Sequence, residues 1–277
     1  MNIIMRDAFE SFDIGPFPFD PKHSALGEYH YYPSAGYHGQ WHDPIVYHGW
    51  LGPSWIVTEN QGVKYMEQTR PQAAIRKDFW QTLVKGDERW RDYTMEAVVR
   101  PLSTYSHTGI AIRYQHGRRF YFFGFDNGRI QLIKRDQEAA EVLAAAEYPY
   151  STDDYYRLKV ECEGSRITGY INDVKVLSVS NEEYAYGKTG LIARMPAQYT
   201  DITVSMNDEQ YARWLEQSAA SDQELQRLRA EYPQPRLWKS ISLSNFGAAR
   251  QIRFGHLTGD DELQIVIAQH QKRGHKD

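Results

Sequence analysis

Cysteine is almost missing: Cys162 is the only one in 277 residues, which excludes an internal disulfide and any thiolate metal cluster. It sits in the strand-like RLKVECEG, where a buried, inert thiol is expected. No apolar run approaches the ~18 residues of a membrane-spanning helix. Basic excess is absent too, with a formal net charge of −4 and a pI near 6.2, so there is no electrostatic footprint for nucleic acid. G-x-S-x-G, P-loop and G-x-G-x-x-G motifs do not occur, and esterase, nucleotide and dinucleotide chemistry drop out with them. The start, MNIIMRDAFESFD, lacks a charged segment followed by an apolar one, so no secretory leader is expected. A cytoplasmic protein is then the simplest expectation, and a secreted chain lacking its leader would read the same way.

What is present is aromatic and strand-like. Aromatic residues make up 14% of the chain, mostly Tyr, which suits half-buried strands and surfaces that grip flat ligands. SWIVTENQGVKYMEQT reads as two strands around ENQG, and YTMEAVVRPL alternates Met95, Ala97 and Val99 against polar neighbours. TGIAIRYQHGRRFYFFGFDNGRIQLIKRD reads as three strands with a hairpin at DNG. YYRLKVECEGSRITGYINDVKVLSVS and KTGLIARMPAQYTDITVS continue the pattern. DQEAAEVLAAAEYP is read as a strand with a bulge or one loose helical turn. Many short strands with Gly/Asn/Asp turns, and no βαβ alternation, predict an all-β antiparallel sandwich.

After Ser205 the period changes. Tyr211, Trp214, Leu215, Leu225 and Leu228 recur at helical spacing, with Asp208 placed to cap the helix and Pro233 to stop it. That stripe is expected to pack on the sandwich. LWKSISL, ARQIRFGHL and LQIVIAQHQ are strand-like again, and too few to bury a core alone. The expected organisation is a sandwich over 1–206, a helix and linker over 207–235, and a short β segment over 236–277.

The segments TGIAIRYQHGRRFYFFGFDNGRIQLIKRD, YYRLKVECEGSRITGYINDVKVLSVS and GKTGLIA resemble the concanavalin A-like, laminin-G-like jelly roll. SNFGAARQIRFGHLTGDDELQIVIAQ resembles the FG-GAP-type blade that begins the β-propeller of rhamnogalacturonan-lyase-like proteins. Together they imply a concanavalin A-like jelly roll with one C-terminal helix, forming the N-terminal part of a polysaccharide-lyase-like protein. They further imply uronate- and rhamnose-containing plant polysaccharide as its substrate class. The blade's calcium loop would fall on His256, Thr258, Asp260 and Gln264. Only Asp260 is a carboxylate there, whereas Ca²⁺ wants several anionic oxygens, so no cofactor is expected.

One stretch invites a site. Between Tyr29 and Trp50 lie His30, His38, His42 and His48, five tyrosines and two tryptophans, with no Lys or Arg. The histidines and Asp43 have no recognised ligand spacing, so no metal is expected. Sugars present apolar C–H faces and a rim of hydroxyls, and are held by flat rings plus polar side chains. Trp41, His42, Tyr47, Trp50 and Trp55 supply such groups, with closure of the sandwich's end as the competing role. On the sheet, Arg113, Tyr121 and Phe123 are added as glycan contacts, Arg113 gripping an acidic sugar through a bidentate carboxylate contact. A cross-strand ion pair on a solvated face is the other role weighed for it. Glu59, Glu67, Glu96, Asp126 and Glu161 are scattered, and no carboxylate pair for glycoside hydrolysis emerges. The expected function is carbohydrate binding, with an oligo- or polysaccharide partner and neither nucleic acid nor membrane. The alternatives are a sandwich that is itself a lyase or glycoside hydrolase, with His42, Tyr47 and Arg113 as candidates, or a non-catalytic module contacting a partner or second copy.

Overall fold

The computed structural model describes residues 1–17, 41–44, 54–71, 80–232, 249–256, 258–259 and 264–269. The chain divides into two units, Met1–Gln223 and Glu224–Asp277.

Among the described residues of the first unit fifteen strands form two antiparallel sheets. One has the order β13 (Val174–Ser180), β12 (Arg166–Ile171), β11 (Tyr156–Glu163), β6 (Thr94–Pro101), β15 (Ala197–Met206), β4 (Val63–Gln68), β3 (Trp55–Asn60), β2 (Gly15–Pro16), and β1 (Asn2–Asp7) also pairs with β15. The other is six-stranded: β10 (Ala139–Glu147), β9 (Arg129–Asp136), β8 (Arg119–Asp126), β7 (Thr108–His116), β14 (Lys188–Ala193), β5 (Thr82–Lys85). This is the expected all-β jelly-roll sandwich. Period-two alternation builds it: β6 buries Met95, Ala97 and Val99, and β11 buries Leu158, Val160 and Cys162. The inner faces meet in one core that includes Ile110, Ile112, Phe123, Leu132 and Leu191. Gly169 lets the sheets close up, because a Cβ there would overlap the Phe123 ring.

The turns follow their sequence signals. Asn127–Gly128 joins Asp126 to Arg129 with φ of 49° and 76°, the left-handed pair that a two-residue hairpin requires. Gln61–Gly62 does the same between β3 and β4. The alanine-rich segment is strand β10, with its register shift between Val142 and Ala144, as the bulged-strand reading expected.

Two features depart from expectation. The central strands of the six-stranded sheet are buried on both faces, unlike edge strand β10: Ala111, Tyr114, Phe120, Phe122, Ile133, Val84, Ile192 and Trp80 form a second apolar cluster on the outer side. The helix α1, Asp208–Glu231, is capped by Asn207, not Asp208: Gln210 N–H donates to Asn207 Oδ1 at 2.8 Å. Its stripe also splits. Tyr211 and Trp214 pack against the sandwich core, while Leu215, Leu225 and Leu228 are exposed.

In the second unit, β16 (Ala249–Gly255) and β17 (Gln264–Gln269) pair antiparallel. The LWKSISL segment lies outside the described residues.

Candidate functional site

Most residues expected to touch sugar lie in the core. Trp41 is 6% exposed; its indole N–H donates to Asp7 Oδ2 at 2.7 Å, and Lys85 Nζ meets the same oxygen at 2.6 Å. His42 is buried and exchanges two backbone hydrogen bonds of 3.0 Å with Val84. Trp55 packs against Tyr199, and Tyr121 and Phe123 are fully buried on the inner face of β8. A ring enclosed in a core has no face to offer a sugar, so Trp41, His42, Trp55, Tyr121 and Phe123 are structural in this arrangement. Tyr47 and Trp50 lie outside the described residues, as do His30, His38, His48 and Asp260. Of the remaining blade positions, Thr258 Oγ1 accepts the Gln264 amide at 2.9 Å.

Arg113 is a further correction. Instead of facing solvent it is 1% exposed. β7 carries an irregularity between Ile112 and His116, and Arg113 takes φ +49° within it. The side chain therefore turns inward, where the guanidinium donates to the carbonyls of Tyr184 (3.0 Å) and Gly164 (2.6 Å) and meets Asp92 at 3.4 Å. Its own N–H donates to the Tyr93 hydroxyl at 2.7 Å. A fork of fixed donors suits this shared role.

Those contacts fix the loop between β13 and β14, which presents Tyr186. Besides the Arg113 bond, Tyr184 N–H donates to Tyr121 Oη at 3.1 Å, and the Tyr184 hydroxyl donates to the Arg135 carbonyl at 3.1 Å. Gly187 N–H donates to the Trp90 carbonyl at 2.9 Å. Gly187 has φ +146° and lies so close to the Arg113 and Tyr114 backbone that a Cβ would overlap it. Next to this pinned glycine, Tyr186 is 44% exposed.

Tyr186 borders an open groove of about 510 Å³, shared with Glu88, Arg89, Arg91, Gln115 and Gln217. The Arg91 guanidinium lies 5.3 Å from the Tyr186 ring centroid, a cation–π distance. Among the described residues no carboxylate lies within ion-pair distance of Arg91. Arg89 is occupied, forking Asp87 at 2.9 and 2.6 Å. Burial works to raise the Asp87 carboxyl, but the Arg89 hydrogen bonds and charge, with the Trp214 indole N–H at 3.3 Å, hold it below its ordinary value. Gln115 Nε2 donates weakly to the Tyr186 carbonyl at 3.4 Å. The groove thus combines an exposed ring, a cation with no carboxylate partner among the described residues, and amides. Sequence reasoning missed Arg91 and Tyr186 because nothing local links RWRDY to YAYGK; the two segments meet across the sheets, joined by the Gly187 N–H bond to the Trp90 carbonyl.

A second polar cluster lies on the outer face of the six-stranded sheet. Arg135 and Arg194 sit 5.8 and 5.7 Å from the Trp80 ring, and His107 stacks on it at 4.3 Å. Burial, then Arg194 and Arg135, push His107 down to about 3, so at neutral pH its 3.8 Å approach to Asp126 is not an ion pair. Asp126, raised by burial, accepts from Gln131 at 3.2 Å and Asn127 at 2.7 Å. Trp80, Arg135 and Arg194 are all buried, so this cluster acts as a packed polar layer and the groove is the accessible site.

No protein-family model matches the sequence, and no curated protein matches it. Among solved structures, the chain is similar to carbohydrate-binding module CBM66 from Bacillus subtilis, at 18% identity and TM-score 0.49 over 61% of this chain and 97% of that one. It is similar to the Caenorhabditis elegans galectin LEC-6 at 15% identity and TM-score 0.37, over 50% and 96% of the two chains. Domain 4 of the extracellular arabinanase AbnA from Geobacillus stearothermophilus, solved with arabinotriose, matches at 12% identity and TM-score 0.41 over 55% and 75%. The fold assignment stands on the strand order and register above.

Proposed function

We propose that the chain is a saccharide-binding β-sandwich and that its sugar sits in the groove beside Tyr186. The observation that carries this reading is the exposed Tyr186 ring with the Arg91 guanidinium 5.3 Å over it and no carboxylate to neutralise that guanidinium among the described residues. A pyranose C–H face suits the ring, while Gln115, Gln217 and Glu88 offer hydrogen bonds to hydroxyls. A guanidinium held over a ring by its charge can still match a carboxylate bidentately through its N–H groups. The ligand is therefore an acidic sugar. Uronate- and rhamnose-containing plant polysaccharide, with the sandwich serving a polysaccharide-lyase-like protein, is the specific form we favour.

Binding is favoured over catalysis in the groove. Among the described residues that line it, Glu88 is the only carboxylate, whereas glycoside hydrolysis uses a flanking pair. The test is affinity electrophoresis through gels containing polygalacturonate or a neutral polymer. Retardation by polygalacturonate is expected, and Tyr186→Ala should abolish it. Arg91→Gln should weaken it by about 10-fold or more, as loss of a charge-assisted hydrogen bond implies. Unchanged migration of both variants would sink the assignment.

A further inference from the structure

Tyr186's groove does not end at Arg91. Its lining residues Arg89, Arg91 and Gln217 also line a constriction of about 10 Å³, room for roughly one water. The constriction shares Asp92, Met206 and Gln210 with another groove of about 410 Å³. The α1 residues involved are Gln210, Arg213, Trp214 and Gln217, spaced i, i+3, i+4, i+7 and hence on one helix face. Gln210 borders the second groove and Gln217 the first, an axial offset of ~10 Å at helical rise. Helix α1 therefore runs along one wall of an elongated depression, and Trp214 is among the residues lining its narrow middle. Trp214 meets the sandwich edge-on at Trp90, 6.5 Å away, and through its Asp87 hydrogen bond.

The two halves differ chemically. The first has Arg91 and the exposed ring. The second offers Thr94, Ser205, Asn207 and Gln210 together with the carboxylates of Asp92, Glu161 and Glu163. Glu161 is tied to the Tyr170 hydroxyl (2.6 Å) and Lys159 (3.3 Å), and Asp92 to Gly164 N–H (2.8 Å) and Arg113. Glu163 is exposed. Carboxylates accept hydroxyl hydrogen bonds well and repel another carboxylate. A sugar in the second groove would be uncharged.

We propose that the two grooves are subsites of one site and that the ligand is a linear heteropolysaccharide bound along its length. Its uronate lies at Arg91 and its neutral sugars lie in the second groove, along α1. This rests on the saccharide reading of the first groove. Titration calorimetry on the full chain, using a uronic acid, homo-oligouronides, and oligosaccharides of neutral sugars ending in a single uronate, tests it. The single-uronate oligosaccharides should gain about 10-fold or more in affinity from disaccharide to hexasaccharide, and homo-oligouronides should not. Glu163→Ala combined with Gln210→Ala should remove that gain and leave disaccharide affinity unchanged. Length-independent affinity, or an equal gain for homo-oligouronides, overturns the second subsite while leaving the first groove standing. Absence of any binding by acidic sugars overturns the saccharide reading and this inference with it.

Discussion

The Arg113 guanidinium donates to the Tyr184 carbonyl at 3.0 Å from inside the core. A charge that the sequence suggests for the ligand is instead spent on the loop carrying Tyr186, two residues further on. Replacing Arg113 by Met would leave the Tyr184 and Gly164 carbonyls without their guanidinium donor and Asp92 without its cation. Losing one partner of a buried charged network costs about 3–5 kcal/mol, to be read as a lower denaturation midpoint. Arg113→Lys should fall between, since an ammonium cannot span the same acceptors. A midpoint within experimental error of wild type for Arg113→Met would contradict the clamp.

Gly187 is the second support of that loop. Gly187→Ala places a Cβ in a left-handed region and against the Arg113 backbone. The expected destabilisation is about 1–3 kcal/mol or more. Sugar affinity should fall further than stability alone explains, because Tyr186 is the adjacent residue. Equal stability and affinity would show that the loop finds another conformation at no cost.

Acid should weaken the fold through His107. Its folded value of about 3, set first by burial and then by Arg194 and Arg135, lies below the ordinary 6.5. Between these values the unfolded chain binds a proton that the folded one refuses, so stability falls as pH drops from 6.5 towards 3, by up to ~1.4 kcal/mol per pH unit. Asp87, held low, adds a loss of the same sign at acid pH, whereas Asp126, raised by burial, works oppositely. Chemical denaturation of His107→Gln across this window should show a shallower slope. A slope as steep as wild type would assign the acid sensitivity elsewhere.

Helix α1 depends on few contacts with the sandwich. Asp87→Asn removes the forked Arg89 pair and weakens the acceptor for Trp214. The prediction is faster amide exchange in the first turns of α1, with β6 and β11 unchanged, and a red-shifted tryptophan emission. If exchange rises uniformly instead, Asp87 supports the whole fold and not the helix seat.

Much of the fold is legible in the sequence because its signals are local. The left-handed pair at Asn127–Gly128, the alternation of Met95, Ala97 and Val99, and the bulged alanine strand each follow from a few adjacent residues. The site is less legible. One irregularity in β7 inverts Arg113, and alternation cannot foresee it. In RFYFFGFD both faces are buried, so Tyr121 and Phe123 look no different from surface rings. Trp41 and Trp55 likewise reveal their burial only through distant partners, Asp7 and Tyr199. Arg91 and Tyr186 meet only once the β13–β14 loop docks on the segment before β6, through the Gly187–Trp90 hydrogen bond.

The loop that displays Tyr186 is held almost wholly by groups other than the Tyr186 ring: the Tyr184 backbone and hydroxyl, the Gly187 amide, the core donor Arg113 and the accepting Tyr121 hydroxyl. Anchorage and display are thus carried by different atoms. The side chains at Ala185 and Tyr186, with Gln115 and Glu88 across the groove, form a small set open to combinatorial variation. A library restricted to those positions should alter which sugars are retained while the sandwich continues to fold, making the chain a scaffold for selecting new binders.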